Sequence, residues 1–122
     1  MKILVCGSRD WHEFGFILLQ LKRLPKDTII INGACKGADK LSTKAAQTLG
    51  LQVKEYPAEW DKYGKSAGPK RNSQMLLENP DEVWAFHYDL YNSKGTLDMV
   101  KKAQAKNIKV VLYNTRGERF EL

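Results

Sequence analysis

The sequence predicts a three-layer α/β/α sandwich built on a five-stranded, mainly parallel sheet. Short Val- and Ile-rich runs alternate along the chain with longer stretches of helical periodicity. Most short runs are apolar at successive positions, which is typical of strands buried on both faces of a parallel sheet. The stretches between them are long enough for right-handed crossovers, so the expected order βαβαβαβαβ is Rossmann-like. The 122 residues suit one domain, which we assign to residues 1–122.

Aliphatic content and capping signals define the predicted elements. The strands are Ile3–Cys6, Thr28–Ile31, Gln52–Tyr56, Glu82–Phe86 and Ile108–Leu112. Asp10 and Glu13 form a predicted capping box that opens the first helix, and Gly50 is the predicted end of the second. The helices then extend from Asp10 to before Pro25, over Ala38–Leu49, from a first turn containing Pro69 to before Pro80, and from Gly95–Thr96 to Asn107.

The composition excludes several classes of protein. A chain with 43% hydrophobic residues is not disordered, and two cysteines cannot form a disulfide framework. No apolar stretch approaches the ~18–20 residues that span a bilayer. The apolar run after Met1 and Lys2 is too short for a signal peptide. We therefore expect a cytoplasmic protein with reduced Cys6 and Cys35 and no membrane association.

The surplus of positive charge is concentrated in one segment. The net charge is +6, and four of the cations lie between residues 62 and 71, with no acidic residue between Asp61 and Glu78. Such a concentration favours an anionic partner, either a phosphate group or a nucleic-acid backbone. A solvated basic loop explains the charge equally well. The four cations are Lys62, Lys65, Lys70 and Arg71.

Phosphate binding is the chemistry predicted for the carboxyl edge of the sheet, where ligands bind at the point of strand-order reversal. Four loops at this edge contain glycine with hydroxyl or amide residues and lead into a helix N-terminus, whose N–H groups attract anions. A single such loop is explained as a tight turn, whereas four on one edge favour a ligand. The loops are Gly7–Asp10, Asn32–Asp39, Pro57–Asn72 and His87–Thr96.

Familiar catalytic and cofactor motifs are missing. The segment after the first strand lacks the G-x-G-x-x-G dinucleotide pattern, and Gly37 is followed by Ala38-Asp39 where a Walker A loop has Lys-Ser/Thr. His12 and His87 have no metal-binding spacing with the two cysteines, and no G-x-S-x-G elbow occurs. We therefore expect neither a P-loop enzyme nor a triad hydrolase, and we predict no cofactor and no metal.

The third loop combines the basic surplus with aromatic residues. Trp60 and Tyr63 have rings on which a base can stack, although a lone tryptophan such as Trp60 is more often a packing anchor than a base platform. Arg71 forms bidentate bonds to phosphate in many proteins, and a cation near a helix N-terminus is unfavourable unless an anion sits there. Arg71 is therefore the strongest single candidate for a ligand contact.

Four segments share a pattern with a known family: Gly7-Ser8-Arg9-Asp10, Gly33…Lys36-Gly37-Ala38-Asp39, Glu59-Trp60…Gly64…Gly68-Pro69-Lys70-Arg71-Asn72 and Ser93-Lys94-Gly95-Thr96. Together they resemble the YspA-like branch of the SLOG superfamily, over about residues 2 to 112. The resemblance implies a Rossmann-like domain that binds a nucleotide or a nucleotide-derived ligand. The superfamily includes the LOG phosphoribohydrolases and the DNA-processing DprA proteins.

Two parts of the LOG pattern are not matched, the glycine pair and the final glutamate. Arg71 is similar to the arginine that contacts the phosphoribosyl group, and Gly95-Thr96 are similar to the end of the P-G-G-x-G-T-x-x-E motif. Asn92-Ser93 replace the glycine pair, however, and Met99 stands in place of the final glutamate. Asp98 is the nearest carboxylate, but one helical step turns a side chain by about 100°. We therefore predict weak or absent phosphoribohydrolase activity, which Met99→Glu would increase.

The predicted function is the binding of a phosphorylated nucleoside or nucleotide derivative at the carboxyl edge. Two alternatives are a DprA-like module for single-stranded DNA and an active LOG-like hydrolase with Asp98 and Arg71 as catalytic residues. Asp39 either accepts from ribose hydroxyls or only stabilises a first helical turn. An all-round apolar first helix predicts a homodimer. The predicted ligand contacts are Gly7, Ser8, Arg9, Gly33, Lys36, Gly37, Asp39, Trp60, Lys70, Arg71, Asn72, Ser93, Gly95 and Thr96.

Overall fold

The computed structural model describes residues 1–114 and 116–122. Over these residues it contains one sheet of six strands: β1 Lys2–Gly7, β2 Ile29–Asn32, β3 Gln52–Glu55, β4 Glu82–Phe86, β5 Lys109–Tyr113 and β6 Arg119–Glu121. Their order is β3-β2-β1-β4-β5-β6. Neighbours are parallel except for the antiparallel pair β5 and β6. The predicted fold class is therefore confirmed, with one strand more than expected.

Helices cover both faces of the sheet. The five in the described residues are α1 Phe14–Leu21, α2 Ala38–Thr48, α3 Trp60–Tyr63, α4 Ala67–Leu76 and α5 Lys94–Ala105. Ile3 and Val5 of β1 face α1 and α2, whereas Leu4 faces α4 and α5, because successive side chains of a strand point to opposite faces. Each face thus has its own apolar core. No helix in the described part of the chain is long and apolar enough to cross a bilayer.

The strand β6 was not predicted from the sequence. Its three residues are all exposed, and it pairs with β5 at the edge of the sheet. A strand that buries neither face needs no run of aliphatic residues, so the criterion that identified the other five strands cannot detect it. The short helix α3 was missed as well, since four residues are too few for a periodic pattern.

The predicted capping box of Asp10 and Glu13 is wrong. Helix α1 begins only at Phe14, and within the described structure no side chain caps its first turn. The preceding residues form a loop that buries Trp11, whose ring stacks on Tyr88 with 4.9 Å between centroids. The Asp10 N–H donates to Ser8 Oγ at 3.0 Å. Burial of the tryptophan thus overrides the local helix signal.

The apolar surface of α1 is mostly covered within the chain. Ile17 and Leu21 are buried, and Phe16 packs edge-on against Phe86 and Tyr113. Leu19 is 58% exposed, which leaves one large apolar side chain of this helix in solvent. The observation behind the predicted homodimer therefore has an explanation inside the monomer. The homodimer itself stays a prediction.

Close backbone packing at Gly37 joins the loops that follow β1 and β2. Gly37 precedes α2 with φ +81°, and a Cβ atom there would lie 2.3 Å from the Ser8 carbonyl oxygen and 2.5 Å from the Arg9 carbonyl group. The Ala38 N–H, at the start of α2, donates to the same Ser8 carbonyl at 3.0 Å. A side chain at residue 37 would separate the two loops.

We predict that Gly37→Ala destabilises the protein far more than Gly50→Ala. Both residues have positive φ, which costs an alanine ~1–2 kcal/mol. A Cβ at Gly50 has open space, with no described heavy atom within 4 Å, whereas at Gly37 it overlaps backbone. Urea denaturation should show an extra loss of at least about 2 kcal/mol for Gly37→Ala. Equal losses would mean that the packing of the two loops contributes nothing.

Candidate functional site

A cavity of about 390 Å³ lies beyond the carboxyl ends of β1 and β4. These strands are neighbours, yet β2 lies on one side of them and β5 on the other, so the cavity marks the switch point of the sheet. Its volume suits a small-molecule ligand. The lining contains three cationic side chains and two carboxylates among the described residues. It consists of Cys6, Gly7, Ser8, Arg9, Asp10, Cys35, Asp39, Arg71, Asn72, Met75, His87, Asn92, Ser93, Lys94, Gly95 and Thr96.

The N-terminus of α5 opens into this cavity. Ser93 caps the helix, and its Oγ accepts the Thr96 N–H at 3.1 Å. Gly95 is the second residue of the helix, and a Cβ there would have no described heavy atom within 4 Å. The structure thus places Ser93, Gly95 and Thr96 around an unobstructed helix N-terminus. The N–H groups and partial positive charge of such an end favour an anion.

Arg71 connects α4 to the ends of β2 and β3. Its Nη1 donates to the Gly33 carbonyl at 2.7 Å and lies 3.5 Å from the Tyr56 carbonyl oxygen, while Nε donates to Asn72 Oδ1 at 3.1 Å. A Cβ on Gly33 would be 2.3 Å from Nη1, so this glycine makes room for the guanidinium. Arg71 is the fifth residue of α4, one turn in, and not at the helix start that the sequence suggested.

The N-terminus of α2 is occupied by protein groups. The Ser8 carbonyl accepts from Ala38, and the Cys35 carbonyl accepts the Lys40 N–H at 3.0 Å. Gly33, Lys36 and Gly37 are not part of the cavity lining in the described chain. Gly37 serves loop packing, Gly33 seats Arg71, and the Lys36 side chain is exposed. Of the helix ends expected to bind phosphate, the structure therefore opens α5 to the cavity and closes α2.

Asp39 holds the loop between β2 and α2. Its Oδ2 accepts the backbone N–H groups of Gly33 and Cys35 at 3.1 and 3.2 Å. The side chain is 7% exposed, and it also lines the cavity. Burial raises the pKa of Asp39 from 3.8 to about 6, although the two N–H groups and the Arg71 guanidinium act in the opposite direction.

Asn72 separates Asp98 from the cavity. Its Nδ2 donates to Asp98 Oδ2 at 3.0 Å and to the Gly95 carbonyl at 3.3 Å. Asp98 also forms an ion pair with Lys102 at 3.1 Å. Asp98 is not among the residues that line the described cavity. Met99 is fully buried in the core beneath α4 and α5. The structure therefore brings Asn72 to the site and leaves Asp98 behind it.

Trp60 and Lys70 also lie outside the cavity. The Trp60 ring packs against Gly68, where a Cβ would lie 3.3 Å from the ring, and 48% of the residue is exposed. Lys70 Nζ stands 4.5 Å from the centre of the Tyr63 ring. Trp60 borders a separate open groove, which shares Arg9 and Cys35 with the cavity and also includes Lys36. A ligand confined to the cavity would not touch Trp60 or Lys70.

The cavity lining also includes His87, Cys35 and Lys94, which were not among the ligand contacts predicted from the sequence. His87 follows β4 directly, so its place at the carboxyl end of a central strand is the signal that could have identified it. Burial lowers the pKa of His87, while Asp89 and Asp10 act to raise it. Within residues 1–114 and 116–122 no cluster of three metal-ligating side chains occurs.

Comparison with known proteins identifies the family. The sequence model named YAcAr, for the YspA, cpYpsA-related SLOG family, matches residues 1–63, just over half of the chain. The chain belongs to this SLOG family. The Gly7–Asp10 and Asn32–Asp39 segments lie within the matched residues, whereas Arg71 and the start of α5 lie beyond them.

Two similarities, one in sequence and one in structure, extend over nearly the whole SLOG chain. It is 27% identical over 124 residues to the Gene 61 protein of Mycobacterium phage D29, covering 94% of this chain and 98% of that protein. The X-ray structure of DNA processing protein A (DprA) from Streptococcus pneumoniae superimposes with a TM-score of 0.71 at 17% identity. That match covers 92% of the SLOG chain but only 50% of the DprA chain. At this identity the likeness concerns the fold.

We predict that ionisation of Asp39 lowers the stability of the SLOG domain between about pH 4 and 6. Since its pKa is raised to about 6, the folded protein holds the Asp39 proton more tightly than the unfolded chain does. The free energy of unfolding therefore falls as the pH rises through this range, by on the order of 3 kcal/mol. Asp39→Asn keeps an oxygen acceptor for the two N–H groups but cannot ionise.

Urea denaturation of the native protein and of Asp39→Asn at pH 4, 5, 6 and 7 checks this expectation. The stability difference between them should move in favour of Asp39→Asn up to about pH 6 and then level off. Asp27→Asn is the control, because Asp27 is exposed in the connection between α1 and β2 and is not among the residues that line the described cavity. A difference that stays constant with pH would contradict the prediction.

Proposed function

We propose that the cavity binds a phosphorylated nucleoside or another nucleotide-derived ligand. One observation carries this proposal: an unobstructed helix N-terminus and three cationic residues line the same small-molecule-sized cavity at the switch point. Membership of the SLOG family supports a nucleotide-related ligand. The pattern that pointed to phosphate chemistry in the sequence thus has a geometric counterpart in this cavity.

The phosphate group is proposed to sit at the start of α5. Gly95 lets it approach the backbone N–H groups, and the Ser93 hydroxyl, whose oxygen accepts from Thr96, still has a proton to donate. Arg9 and Lys94 are exposed side chains of the lining that add mobile positive charge. Arg71 is fixed by Gly33 and contributes charge with a defined orientation.

The nucleoside is proposed to lie on the side of the cavity that carries Ser8 and Asp39. Gly7 lies on the same side, and its lack of a side chain serves the packing of β1 against β4, because a Cβ on it would be 2.1 Å from the Phe86 carbonyl oxygen. A carboxylate with one oxygen engaged by backbone N–H groups has its second oxygen for a ribose hydroxyl. Trp60 and Lys36 would contact only a ligand that extends past Arg9 into the neighbouring groove, and in the described structure Lys70 lines neither that groove nor the cavity.

We predict that Gly95→Ala weakens ligand binding without weakening the fold. Gly95 and Gly15 are each the second residue of their helix, and both have open space for a Cβ among the described atoms. Alanine should therefore be neutral or slightly stabilising at either position. Only at Gly95 would the methyl group occupy the path of the phosphate. Calorimetric titration should show at least a tenfold loss of affinity for Gly95→Ala and no change for Gly15→Ala.

A thermal-shift screen with nucleoside monophosphates, NAD and ADP-ribose selects the probe for that titration. A ligand at 100 times its Kd stabilises a protein by ~2.7 kcal/mol, which such a screen detects. If no nucleotide raises the melting temperature, while an oligonucleotide binds with a steep log–log dependence on salt, the small-ligand proposal fails. That outcome would support the DNA-binding alternative.

The DNA-binding alternative has one specific observation in its favour. Lys62 and Lys70 both stand over the exposed Tyr63 ring, at 5.0 and 4.5 Å from its centre, beside the half-exposed Trp60. Cations and aromatic rings together are the usual components of a single-strand-binding surface. The group is confined to the segment around α3, however, and an extended strand needs a longer groove. We therefore keep it as the second candidate.

We predict weak or absent release of free base from nucleoside monophosphates. A positioned acid or base typically contributes ~10²–10⁴ to the rate, and Asp98 is engaged by Asn72 and Lys102 outside the cavity. Asp98→Asn should therefore not change any residual release, as measured by chromatography of the free base. A loss of efficient release in Asp98→Asn would contradict this and make Asp98 catalytic.

The expectation that Met99→Glu would increase activity needs correction. Met99 is 0% exposed and belongs to the apolar core, so a glutamate there would be buried without a partner. An isolated carboxylate in such a core is strongly unfavourable. The substitution would disturb the core and would not reach the cavity with a carboxylate.

A further inference from the structure

His87 is the cavity-lining residue whose chemistry the proposed site has not used. It is the first residue after β4, and its backbone N–H donates to the Tyr113 carbonyl at 3.1 Å, which ties it to β5. Its ring stands beside the cavity at an intermediate exposure. The residue is thus placed by the sheet and not by a free loop.

One hydrogen bond fixes the tautomer of His87. The Asp89 backbone N–H donates to Nδ1 at 2.9 Å. A backbone N–H can only donate, so Nδ1 must act as the acceptor and carries no proton. The neutral ring therefore has its proton on Nε2, and within the described residues no protein acceptor bonds to this atom. His87 holds one unused donor at the wall of the cavity.

Charging the ring would disrupt this arrangement. A second proton would have to enter at Nδ1, where it would face the Asp89 N–H. Burial opposes the charged form, whereas Asp10 from the β1–α1 loop and Asp89 from the β4–α5 loop favour it. The geometry therefore favours the neutral ring with its proton on Nε2 near neutral pH.

We propose that His87 is a ligand-contacting residue that donates from Nε2 to an oxygen atom of the bound phosphorylated ligand. This proposal rests on the proposed function of the cavity. A neutral histidine with a fixed tautomer donates one directed hydrogen bond and adds no charge. His87 would therefore select ligands by the position of their oxygen atoms, whereas Arg9 and Lys94 attract any anionic ligand by their charge. The acceptor is an oxygen of the phosphate or of the ribose, and different probes separate the two.

A matched pair of substitutions tests the proposal. Asn at residue 87 keeps an oxygen acceptor at about the position of Nδ1 but has no donor as far out as Nε2. Gln carries its amide N–H group at about the distance of Nε2. Titration with AMP should show about a tenfold loss of affinity for His87→Asn and a clearly smaller loss for His87→Gln. Melting temperatures of both variants report whether the fold is intact.

Two further probes identify the acceptor. If inorganic phosphate and AMP lose affinity for His87→Asn by the same factor, the donor meets a phosphate oxygen. A loss seen with AMP alone assigns it to the ribose. Unchanged AMP affinity in His87→Asn, or equal losses in both variants, would overturn the proposal, because a donor at the distance of Nε2 would then be irrelevant.

Nitrogen-15 NMR of the unliganded protein gives a readout independent of any ligand. The chain has two histidines, so His12→Gln assigns the spectrum. We expect a proton on Nε2 and none on Nδ1 of His87, and a change at Nε2 when AMP is added. A proton on Nδ1 would overturn the inference and leave the proposed function standing. If the native protein binds none of the nucleotides in the thermal-shift screen, the proposed function fails, and this inference fails with it.

Discussion

The guanidinium of Arg71 determines how three segments meet at the carboxyl edge of the sheet. It extends from α4 to the Gly33 carbonyl at the end of β2 and approaches the Tyr56 carbonyl at the end of β3. Gly33 is required because any side chain would occupy the same space. The wall of the cavity therefore depends on an arginine held by backbone carbonyls. These neutral acceptors leave the positive charge of the guanidinium beside a cavity with room for an anion.

Asp39 provides a buried negative charge near the positive charge of Arg71. Its carboxylate is buried under the same loop that Gly33 begins, and the nearby Arg71 lowers its pKa against the larger effect of burial. Among the described residues neither charge is neutralised by a direct ion pair, because Asp39 binds N–H groups and Arg71 binds carbonyl groups. Hydrogen bonds to the backbone therefore hold both charged side chains in fixed orientations.

The sequence predicted β1, β2, β4 and β5 because each buries aliphatic residues on both faces, whereas the edge strand β3 has only the partly buried Val53 packed against the core. Glycine and hydroxyl residues after strands pointed to Ser8, Arg9 and the start of α5, and a cation near a helix N-terminus pointed to Arg71; all of them line the cavity. The sequence could not distinguish Gly37, which packs loops, from Gly95, which opens the cavity, because both precede or begin helices in the same way. It also missed β6 and His87, whose places depend on pairing between distant segments.

The strand β6 changes what the sheet presents at its β5 edge. Without β6, β5 would be the edge strand of the sheet, and the backbone groups of Val110, Val111 and Leu112 on its outer side would have no partner strand. β6 bonds to those groups and replaces the aliphatic edge with one that carries the Arg119–Glu121 ion pair and the Lys109–Glu121 ion pair. Charged outer strands disfavour the edge-to-edge association that leads to aggregation. A segment with no part in the cavity thus gives the sheet a charged outer edge.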